Sequence, residues 1–303
     1  MEERYKHLNK FLKEKLGERT LKICIDGGFT CPNRDGKIGT GGCVFCSNKG
    51  SGEHICSREN ISNQVKRYFL SARSNRANKF IAYFQNFTNT YDTVENLKRK
   101  YDAALIDDRI VAIAIATRPD CINEDVAELL RSYMDRYYVW VELGLQTSND
   151  RTAKIINRGY ESRIYTESVN ILNKYGIDVV THIMVGLPGE TKDDLENTVK
   201  FLNNHNYQGL KVHSTYVIED TVLAKWYNEG KYKTISLEYY LECLTYVITH
   251  ISPDIVIHRI SGDAPEDLLI APDWNAHKKW VLNGLDKILR KQDLWQGKYY
   301  ITK

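Results

Sequence analysis

Short runs of β-branched and apolar residues alternate with amphipathic stretches along most of the chain. This alternation predicts βα units around a parallel sheet. The predicted strands cover residues 21–25, 80–84, 110–116, 138–143, 179–185, 210–217 and 255–257. Alternation alone fits a doubly wound sheet as well as a barrel, so the choice between them depends on the motifs.

Helical periodicity is clear between these strands. One face of the helix predicted over residues 124–136 is apolar and carries Val126, Leu129, Leu130 and Tyr133. Thr191 is expected to cap a helix that runs to about residue 204, with Asp194 completing a near capping box. The regular spacing of these helices supports the βα pattern.

The series continues without a linker, low-complexity tract or internal repeat, which predicts a single domain over residues 1–303. We expect an N-terminal helix within 1–20 (about 3–16), a core over 21–260, and an extension over 261–303 with a helix at about 275–291. The chain is 42% hydrophobic, yet no apolar run approaches the roughly 20 residues that span a bilayer, and residues 1–16 lack a signal-peptide core. We therefore expect a cytoplasmic protein without a membrane partner.

Basic residues are concentrated in two segments, although the net charge is only +3. Residues 58–79 carry six bases against one acid, and residues 274–303 carry seven bases against two acids. Such segregation is typical of proteins that bind a polyanion such as RNA. The alternative is that these segments are ordinary solvated helix faces.

Three of the seven cysteines, Cys31, Cys43 and Cys46, lie in a stretch that also holds four glycines. In a reducing compartment this pattern indicates metal binding rather than disulfides. Three thiolates suit a [4Fe–4S] cluster, because they leave one iron without a protein ligand. S-adenosylmethionine can bind that open iron through its amino and carboxylate groups, which places its sulfonium beside the cluster.

The alternative at this loop is a structural zinc site, which normally needs four protein ligands. Cys24, His54 or Cys56 could supply the fourth. Cys121 and Cys243 are predicted to be core thiols, as is Cys24 if it is not a ligand.

The cysteine loop resembles the radical S-adenosylmethionine superfamily, whose usual spacing is Cys-x3-Cys-x2-Cys. Here 11 residues separate Cys31 from Cys43, and Phe45 precedes the last cysteine. The long first spacing with that aromatic residue resembles the Elongator-type branch, the small bacterial proteins similar to the catalytic subunit of Elongator. The resemblance extends over essentially the whole chain. It implies a partial (β/α)6 TIM-like barrel with N- and C-terminal helical extensions, a [4Fe–4S] cluster, S-adenosylmethionine and a flavodoxin- or ferredoxin-type electron donor.

Later segments match this family in order, each where a predicted strand ends. Tyr83-Phe84-Gln85-Asn86 stands in the place of the superfamily's Gly-Gly-Glu segment, whose carbonyls accept from the substrate amino group, and residues 117–120 are similar to an Elongator-type motif. Glu142-Leu-Gly-Leu-Gln146 with Arg158 looks like a pattern in which glutamine contacts the ribose and arginine pairs with the methionine carboxylate. His182 lies at a ribose-contacting position, and residues 186–190 close the fifth strand.

The site residues that the resemblance implies can therefore be stated. The cluster ligands are Cys31, Cys43 and Cys46, and the cofactor-binding residues are Phe45, Phe84, Gln85, Asn86, Glu142, Gln146, Arg158, His182 and Gly186. Arg158 could instead be an exposed base, and His182 could be a core histidine. Residues 259–263 and Trp274 also resemble the branch, but they have no role that the sequence explains.

The same resemblance reduces the number of reactions that the chain could catalyse. Only 30 residues precede Cys31, too few for the second cluster domain of a methylthiotransferase, and the residues beyond 260 are too few for the acetyltransferase domain of Elongator. The MnmL-type branch implies action on the wobble uridine of transfer RNA: removal of a carboxymethyl unit from 5-carboxymethylaminomethyl(2-thio)uridine to leave the aminomethyl form. The alternatives are oxidation of a small molecule, as by coproporphyrinogen dehydrogenase, and a non-enzymatic, zinc-stabilised RNA-binding protein.

Overall fold

A computed structural model describes residues 3–50, 55, 59–262 and 264–301. The strands in this part of the chain are β1 (Thr20–Ile25), β2 (Lys79–Phe84), β3 (Ile110–Thr117), β4 (Tyr138–Gln146), β5 (Asp178–Val185), β6 (Gly209–Ser214), β7 (Val217–Ile218), β8 (Val256–Arg259) and β9 (Leu269–Ala271). The helices are α1 (Leu8–Leu16), α2 (Ile61–Leu70), α3 (Val94–Asp102), α4 (Glu124–Tyr133), α5 (Asp150–Ile155), α6 (Ser162–Lys174), α7 (Lys192–Leu202), α8 (Val222–Asn228), α9 (Leu237–His250) and α10 (Lys278–Lys291).

Seven parallel strands form the main sheet in the order β1-β2-β3-β4-β5-β6-β8. This order never reverses, whereas the strand order of a doubly wound sheet does. The sheet therefore curls in one direction into a partial barrel, open between its end strands β1 and β8. The predicted fold class is confirmed. Strands β1 to β6 correspond to the six strands of the predicted partial barrel, and β8 adds a seventh parallel strand beside β6.

Alternation along the strands separates two faces of the sheet. On β4, Val139, Val141 and Leu143 belong to the large apolar core between sheet and helices. Glu142, between them, points to the opposite face and lines a cavity inside the barrel. The period of two in a strand thus gives one apolar face for packing and one face that can carry polar groups.

Most predicted elements agree with the structure to within a few residues, and the differences lie at their ends. The strand predicted over 210–217 ends at Ser214, because the chain leaves the sheet and residues 217–218 pair antiparallel with β9 instead. The N-terminal helix begins at Leu8 rather than near residue 3, and the amide of Ile257 donates to the carbonyl of Lys6 (2.8 Å) in the extended segment before it. The capping interaction expected between Thr191 and Asp194 at the start of α7 is present, since Asp194 Oδ2 accepts from the amide of Thr191 at 2.9 Å.

The two added helices lie at the open side of the barrel. α1 contacts both end strands, β1 and β8, and α10 packs on α9. None of the helices in the described residues is long and apolar enough to cross a membrane. The division of the chain into a core with two extensions stays a prediction.

Candidate active site

The loop that follows β1 carries the three motif cysteines and is closed by one arginine. Arg34 Nη2 donates to the carbonyl oxygens of Cys46 (2.9 Å) and Ser47 (2.6 Å). The guanidinium passes beside Gly42, whose φ is +78°, and a Cβ built on Gly42 would lie 2.7 Å from Arg34 Nε. Because any side chain at position 42 would collide with the guanidinium, the loop requires glycine there.

Two asparagines attach this loop to the segment that follows α5. Asn33 is 1% exposed, and its Nδ2 donates to the carbonyl oxygen of Asn157 at 2.6 Å. Asn157 Nδ2 donates in return to the carbonyl of Gly42 at 2.8 Å. Asn33 Nδ2 also lies 4.0 Å from Cys43 Sγ, so the paired asparagines fix the position of this thiol relative to the barrel.

Cys31, Cys43 and Cys46 line one cavity of about 210 Å³ at the carboxyl ends of the strands. Burial and the neighbouring thiols of Cys46 and Cys31 raise the pKa of Cys43 to about 12. Across the described ranges, no three His, Cys, Asp or Glu side chains group closely enough to hold a single metal ion. Three thiols spaced around a cavity fit the [4Fe–4S] cluster that the family resemblance implies, since thiolates are its usual protein ligands.

The other cysteines differ in their surroundings. The prediction that Cys24 is a core thiol is wrong, because it is exposed and lines a second cavity inside the barrel. The apolar face of β1 carries Ile23 and Ile25, which leaves Cys24 on the opposite face. Cys243 is buried as predicted and Cys121 is only half-buried. The other two candidate zinc ligands, His54 and Cys56, lie outside the described residues.

Glu142 is buried in the barrel interior, and its carboxylate accepts from donors on five strands. These are Lys22 Nζ (3.4 Å), Tyr83 Oη (2.8 Å), Trp140 Nε1 (3.1 Å), His182 Nε2 (3.0 Å) and Lys211 Nζ. Lys211 Nζ also donates to Tyr83 Oη at 3.0 Å. A single carboxylate therefore joins the interior faces of β1, β2, β4, β5 and β6.

In this network, burial and the neighbouring opposite charges shift the pKa values of Glu142 and Lys211 in opposite directions. Burial would raise the pKa of Glu142, but Lys211 and Lys22 outweigh it and hold the pKa of this carboxyl well below its usual range. Burial lowers the pKa of Lys211, against the effect of Glu142. Burial and then Lys211 lower the pKa of His182 to about 4. At neutral pH the interior therefore holds an ionised carboxylate beside a neutral imidazole.

Arg158 lines the cysteine cavity but is fully buried, so it is not an exposed base. Its Nη1 donates to the carbonyl oxygens of Leu145 and Thr147, and its Nε donates to that of Tyr160 at 3.0 Å. Its Nη2 also pairs with Asp150 Oδ1 at 3.4 Å, so the contacts that the structure shows are with backbone carbonyls and one carboxylate of the protein itself. A role as partner of the methionine carboxylate stays a prediction.

The remaining residues that the sequence assigned to the cofactor fall into two groups. Phe45, Gln85, Gln146 and His182 line the same cavity as the cysteines and Glu142. Phe84, Asn86 and Gly186 do not. The Phe84 ring packs edge-on against Tyr101 in the apolar core, because its position on β2 points to the helix-covered face. Asn86 is buried apart from the cavity, and Gly186 lines a different cavity, where its carbonyl accepts from Tyr232 Oη at 2.7 Å.

Sequence reasoning assigned no role to four interior residues: Lys22, Lys211, His213 and Arg259. Lys211, His213 and Arg259 line the cysteine cavity, and Lys22 contacts Glu142. A signal was present, since Lys211 and His213 alternate with apolar residues inside a predicted buried strand. Charged residues are rarely buried without a partner, so a lysine in such a strand predicts a buried acid elsewhere in the chain.

Comparison with protein families and curated proteins gives consistent results. Residues 34–202 match the Radical SAM superfamily, and residues 207–291 match the Radical_SAM C-terminal domain. The Bacillus subtilis protein YtqA is 40% identical over 99% of this chain and 94% of its own length. The Escherichia coli protein YhcC is 34% identical over 92% and 90% of the two chains. Mouse Elongator complex protein 3 is 29% identical over 53% of this chain and 29% of its own length.

Solved structures show the same fold at low sequence identity. The archaeal Elp3 of Methanocaldococcus infernus, with an N-terminal deletion, superposes with a TM-score of 0.68 and 18% identity, over 91% of this chain and 64% of that chain. Methylornithine synthase (PylB) superposes with a TM-score of 0.51 and 11% identity, over 91% and 83%.

The contacts of Arg158 predict that it stabilises the fold. In Arg158→Ala, the carbonyls of residues 147 and 160 lose the guanidinium as donor, whereas that of Leu145 keeps the amide of Thr147, and each unsatisfied buried acceptor costs about 1–3 kcal/mol. We expect the free energy of unfolding in urea to fall by about 2–5 kcal/mol. The control Arg163→Ala removes an exposed arginine of α6 and should change it by less than about 0.5 kcal/mol. Equal stability of Arg158→Ala and the parent would contradict this structural role.

The lowered pKa of His182 predicts a loss of stability in mild acid. Between its unfolded pKa of about 6.5 and its folded pKa of about 4, the unfolded chain binds a proton that the folded chain does not. The stability due to neutral His182 is thus fully present above pH 6.5 and is lost as the pH falls toward 4. From pH 7 to pH 5, the parent should lose about 1–2 kcal/mol more unfolding free energy than His182→Gln. Parallel pH profiles of the two proteins would contradict this assignment.

Proposed function

We propose that this chain, which belongs to the radical S-adenosylmethionine superfamily and is an enzyme of that class, modifies the wobble uridine of transfer RNA. In the proposed reaction on 5-carboxymethylaminomethyl(2-thio)uridine, the methylene between the amine and the carboxylate loses a hydrogen atom and then a proton and one electron, which passes to an electron-carrier protein of the flavodoxin or ferredoxin type. Water hydrolyses the resulting imine, which breaks the bond between nitrogen and this carbon, releases the carboxymethyl carbons as glyoxylate and leaves the aminomethyl form. The observation that carries the radical chemistry is the convergence of Cys31, Cys43 and Cys46 on the cavity that Glu142 and His182 also line. Because the chain belongs to a class of enzymes, the alternative of a non-enzymatic, zinc-stabilised RNA-binding protein has no support.

In the proposed site, Cys31, Cys43 and Cys46 hold the [4Fe–4S] cluster, and Phe45, Gln85, Gln146 and His182 contact S-adenosylmethionine. When bound, the cluster and S-adenosylmethionine supply a 5′-deoxyadenosyl radical, which abstracts hydrogen from an unactivated C–H bond. The backbone bonds of Arg158 hold the end of β4, and thereby Gln146, in position. The cavity lies at the carboxyl ends of parallel strands, where barrel enzymes place their active sites.

The surface of α10 supports an RNA substrate. Its exposed residues include Lys278, Lys279, Lys287 and Lys291. Asp286 is the one acidic residue within this helix. Trp280 is 52% exposed between these lysines, and an exposed aromatic ring among basic residues can stack on an unpaired base. Lys278 also lines a cavity that continues into the barrel, so the basic helix adjoins the interior. A porphyrin-like substrate would not require this basic surface.

The second basic segment is also at the surface. Lys66, Arg67, Arg73 and Arg76 are exposed on and after α2, although Arg67 pairs with Glu59 at 3.1 Å. Arg58 and Lys303, which belong to the two segments, lie outside the described residues. The described parts of both segments are therefore accessible to a polyanion.

For the electron that the reaction requires, we propose a flavodoxin- or ferredoxin-type protein as the donor.

The thiol assignment predicts the iron content and the reactivity of cysteine variants. After anaerobic reconstitution, the parent should bind close to four irons, as one [4Fe–4S] cluster requires. Cys31→Ala, Cys43→Ala and Cys46→Ala should each abolish formation of 5′-deoxyadenosine, measured by chromatography. Cys243→Ala, which changes a buried thiol of α9, should retain it. A full cluster with normal deoxyadenosine formation in Cys43→Ala would remove this residue from the ligand set.

The basic surface of α10 predicts salt-dependent binding of transfer RNA. Each lost phosphate contact reduces the slope of log affinity against log salt by about 0.7–0.9. Lys279→Glu, Lys287→Glu and Lys291→Glu together should flatten the slope by about 2–3 and slow RNA modification. Deoxyadenosine formation without RNA should not change, because these residues lie outside the cysteine cavity.

A control variant carries the same charge change elsewhere: Lys154→Glu, Lys200→Glu and Lys225→Glu, which are exposed lysines of α5, α7 and α8. This control should keep most of the parent's salt slope. If both triple variants bind and modify RNA equally well, α10 is a solvated helix face and does not contact RNA.

A further inference from the structure

Asn33 is a buried residue of the cysteine loop, and its amide lies between two glycines. A Cβ built on Gly39 would lie 2.7 Å from Asn33 Oδ1, and one built on Gly159 would lie 3.3 Å from the same atom. Gly159 also has a φ of +84°, a conformation that favours glycine. Both positions therefore leave space for the Asn33 amide, which has little freedom to turn between them.

The Asn33 amide nitrogen has two acceptors. Nδ2 donates to the carbonyl oxygen of Asn157 at 2.6 Å, which fixes the direction of the amide. The second acceptor is Cys43 Sγ, at 4.0 Å from the same nitrogen. An amide nitrogen carries two hydrogens, so it can donate to both acceptors at once. Hydrogen bonds to an ionised acceptor are shorter and stronger, so this long contact should strengthen when Cys43 is a thiolate.

The backbone fixes the distance between the amide and the sulfur. The amide of Gly42, the residue before Cys43, donates to the carbonyl oxygen of Asn33 at 2.8 Å. The carbonyl of Gly42 accepts from Asn157 Nδ2, also at 2.8 Å. Gly42 is therefore held through both of its backbone groups, and the cysteine that follows it keeps its place beside Asn33.

Asn33 is the one hydrogen-bond donor to Cys43 Sγ within the part of the chain that the structure describes. Arg118 is a second group that lowers the pKa of Cys43, against the larger effect of burial. However, the guanidinium of Arg118 forms two hydrogen bonds with the carboxylate of Asp120, at 2.9 and 2.7 Å, so much of its charge is compensated. The amide of Asn33 is thus the group best placed to stabilise negative charge on this sulfur.

We propose that Asn33 donates a hydrogen bond to the Cys43 sulfur when this thiolate holds the [4Fe–4S] cluster, and that this bond raises the reduction potential of the cluster. The inference rests on the cluster assignment of the proposed function but not on its RNA substrate. One electron from the flavodoxin- or ferredoxin-type donor converts the cluster from its oxidised to its reduced state, and the cysteine sulfurs share the added negative charge. A hydrogen-bond donor to one sulfur therefore stabilises the reduced state more than the oxidised state.

The test is the reduction potential of the reconstituted cluster in Asn33→Ala. It is measured by redox titration followed by electron paramagnetic resonance, without S-adenosylmethionine and without RNA. At a fixed applied potential, the ratio of reduced to oxidised cluster should be about three- to tenfold lower than in the parent, which is a shift of about 30–60 mV to more negative potential for a one-electron couple.

The control Asn157→Gly loosens the same loop but keeps the donor to sulfur. It removes the side-chain bond to the Gly42 carbonyl and leaves the backbone carbonyl that accepts from Asn33. Asn157 has a φ of +53°, which glycine adopts without strain. The ratio of reduced to oxidised cluster in this variant should stay within about 1.5-fold of the parent.

A second measurement needs no variant to decide the matter. The parent is prepared with nitrogen-15 in its asparagine side chains, and the reduced cluster is examined by pulsed electron paramagnetic resonance. A hydrogen bond from Asn33 to a cluster sulfur predicts a nitrogen-15 hyperfine coupling, which Asn157→Gly should keep and Asn33→Ala should lose. If Asn33→Ala fails to assemble a cluster, the presence or absence of this coupling in the parent decides.

The other outcomes separate this role from the proposed function. An unchanged potential in Asn33→Ala, or a parental spectrum without the coupling, would overturn the role of Asn33 even if the enzyme modifies transfer RNA normally. Equal shifts in Asn33→Ala and Asn157→Gly would also overturn it, because the position of the loop would then set the potential. The predicted shift in an enzyme that leaves transfer RNA unmodified would support the role of Asn33 while the proposed reaction fails. A parent that binds no [4Fe–4S] cluster would overturn both.

Discussion

The buried carboxylate of Glu142 is the interaction on which the interior of this barrel depends. Its donors come from β1, β2, β4, β5 and β6, so one side chain sets the relative position of five of the seven strands. A buried ion pair adds little net stability, since desolvation offsets the attraction, yet losing one partner is costly. The network therefore acts mainly to specify which polar groups face the cavity, and it fixes Lys211 and His182 beside the cysteine loop.

The site has two structural parts, the cysteine loop and the strands that form the cavity wall. The cysteine loop is irregular and needs glycine at position 42, because the Arg34 guanidinium occupies the space that a side chain would take there. The cavity wall is built on strands, whose side chains are held by packing and by the Glu142 network. A loop that supplies ligands on a rigid barrel is a common design for enzymes. The basic helix α10 then connects the outer surface to the interior through Lys278.

The sequence predicted the strands well because each one is a local pattern of apolar residues. It predicted the cysteine loop for the same reason, since spacing and glycine content can be recognised along the chain. It could not predict the partners of Glu142, because Lys22 and Lys211 are 120 and 69 residues away from it. Arg158 shows the same limit: its type and spacing suggested a ligand contact, but only the fold reveals that backbone carbonyls surround it.

We propose that this radical enzyme acts on the carboxymethyl group of a wobble uridine. Mass spectrometry of transfer-RNA nucleosides, from a strain of the source organism that lacks the gene, tests it most directly. The account predicts that 5-carboxymethylaminomethyl(2-thio)uridine accumulates and that the aminomethyl form and its derivatives disappear. Restoring the parent gene should reverse this change, and restoring Cys43→Ala should not. A nucleoside profile identical to that of the parent strain would contradict the claim.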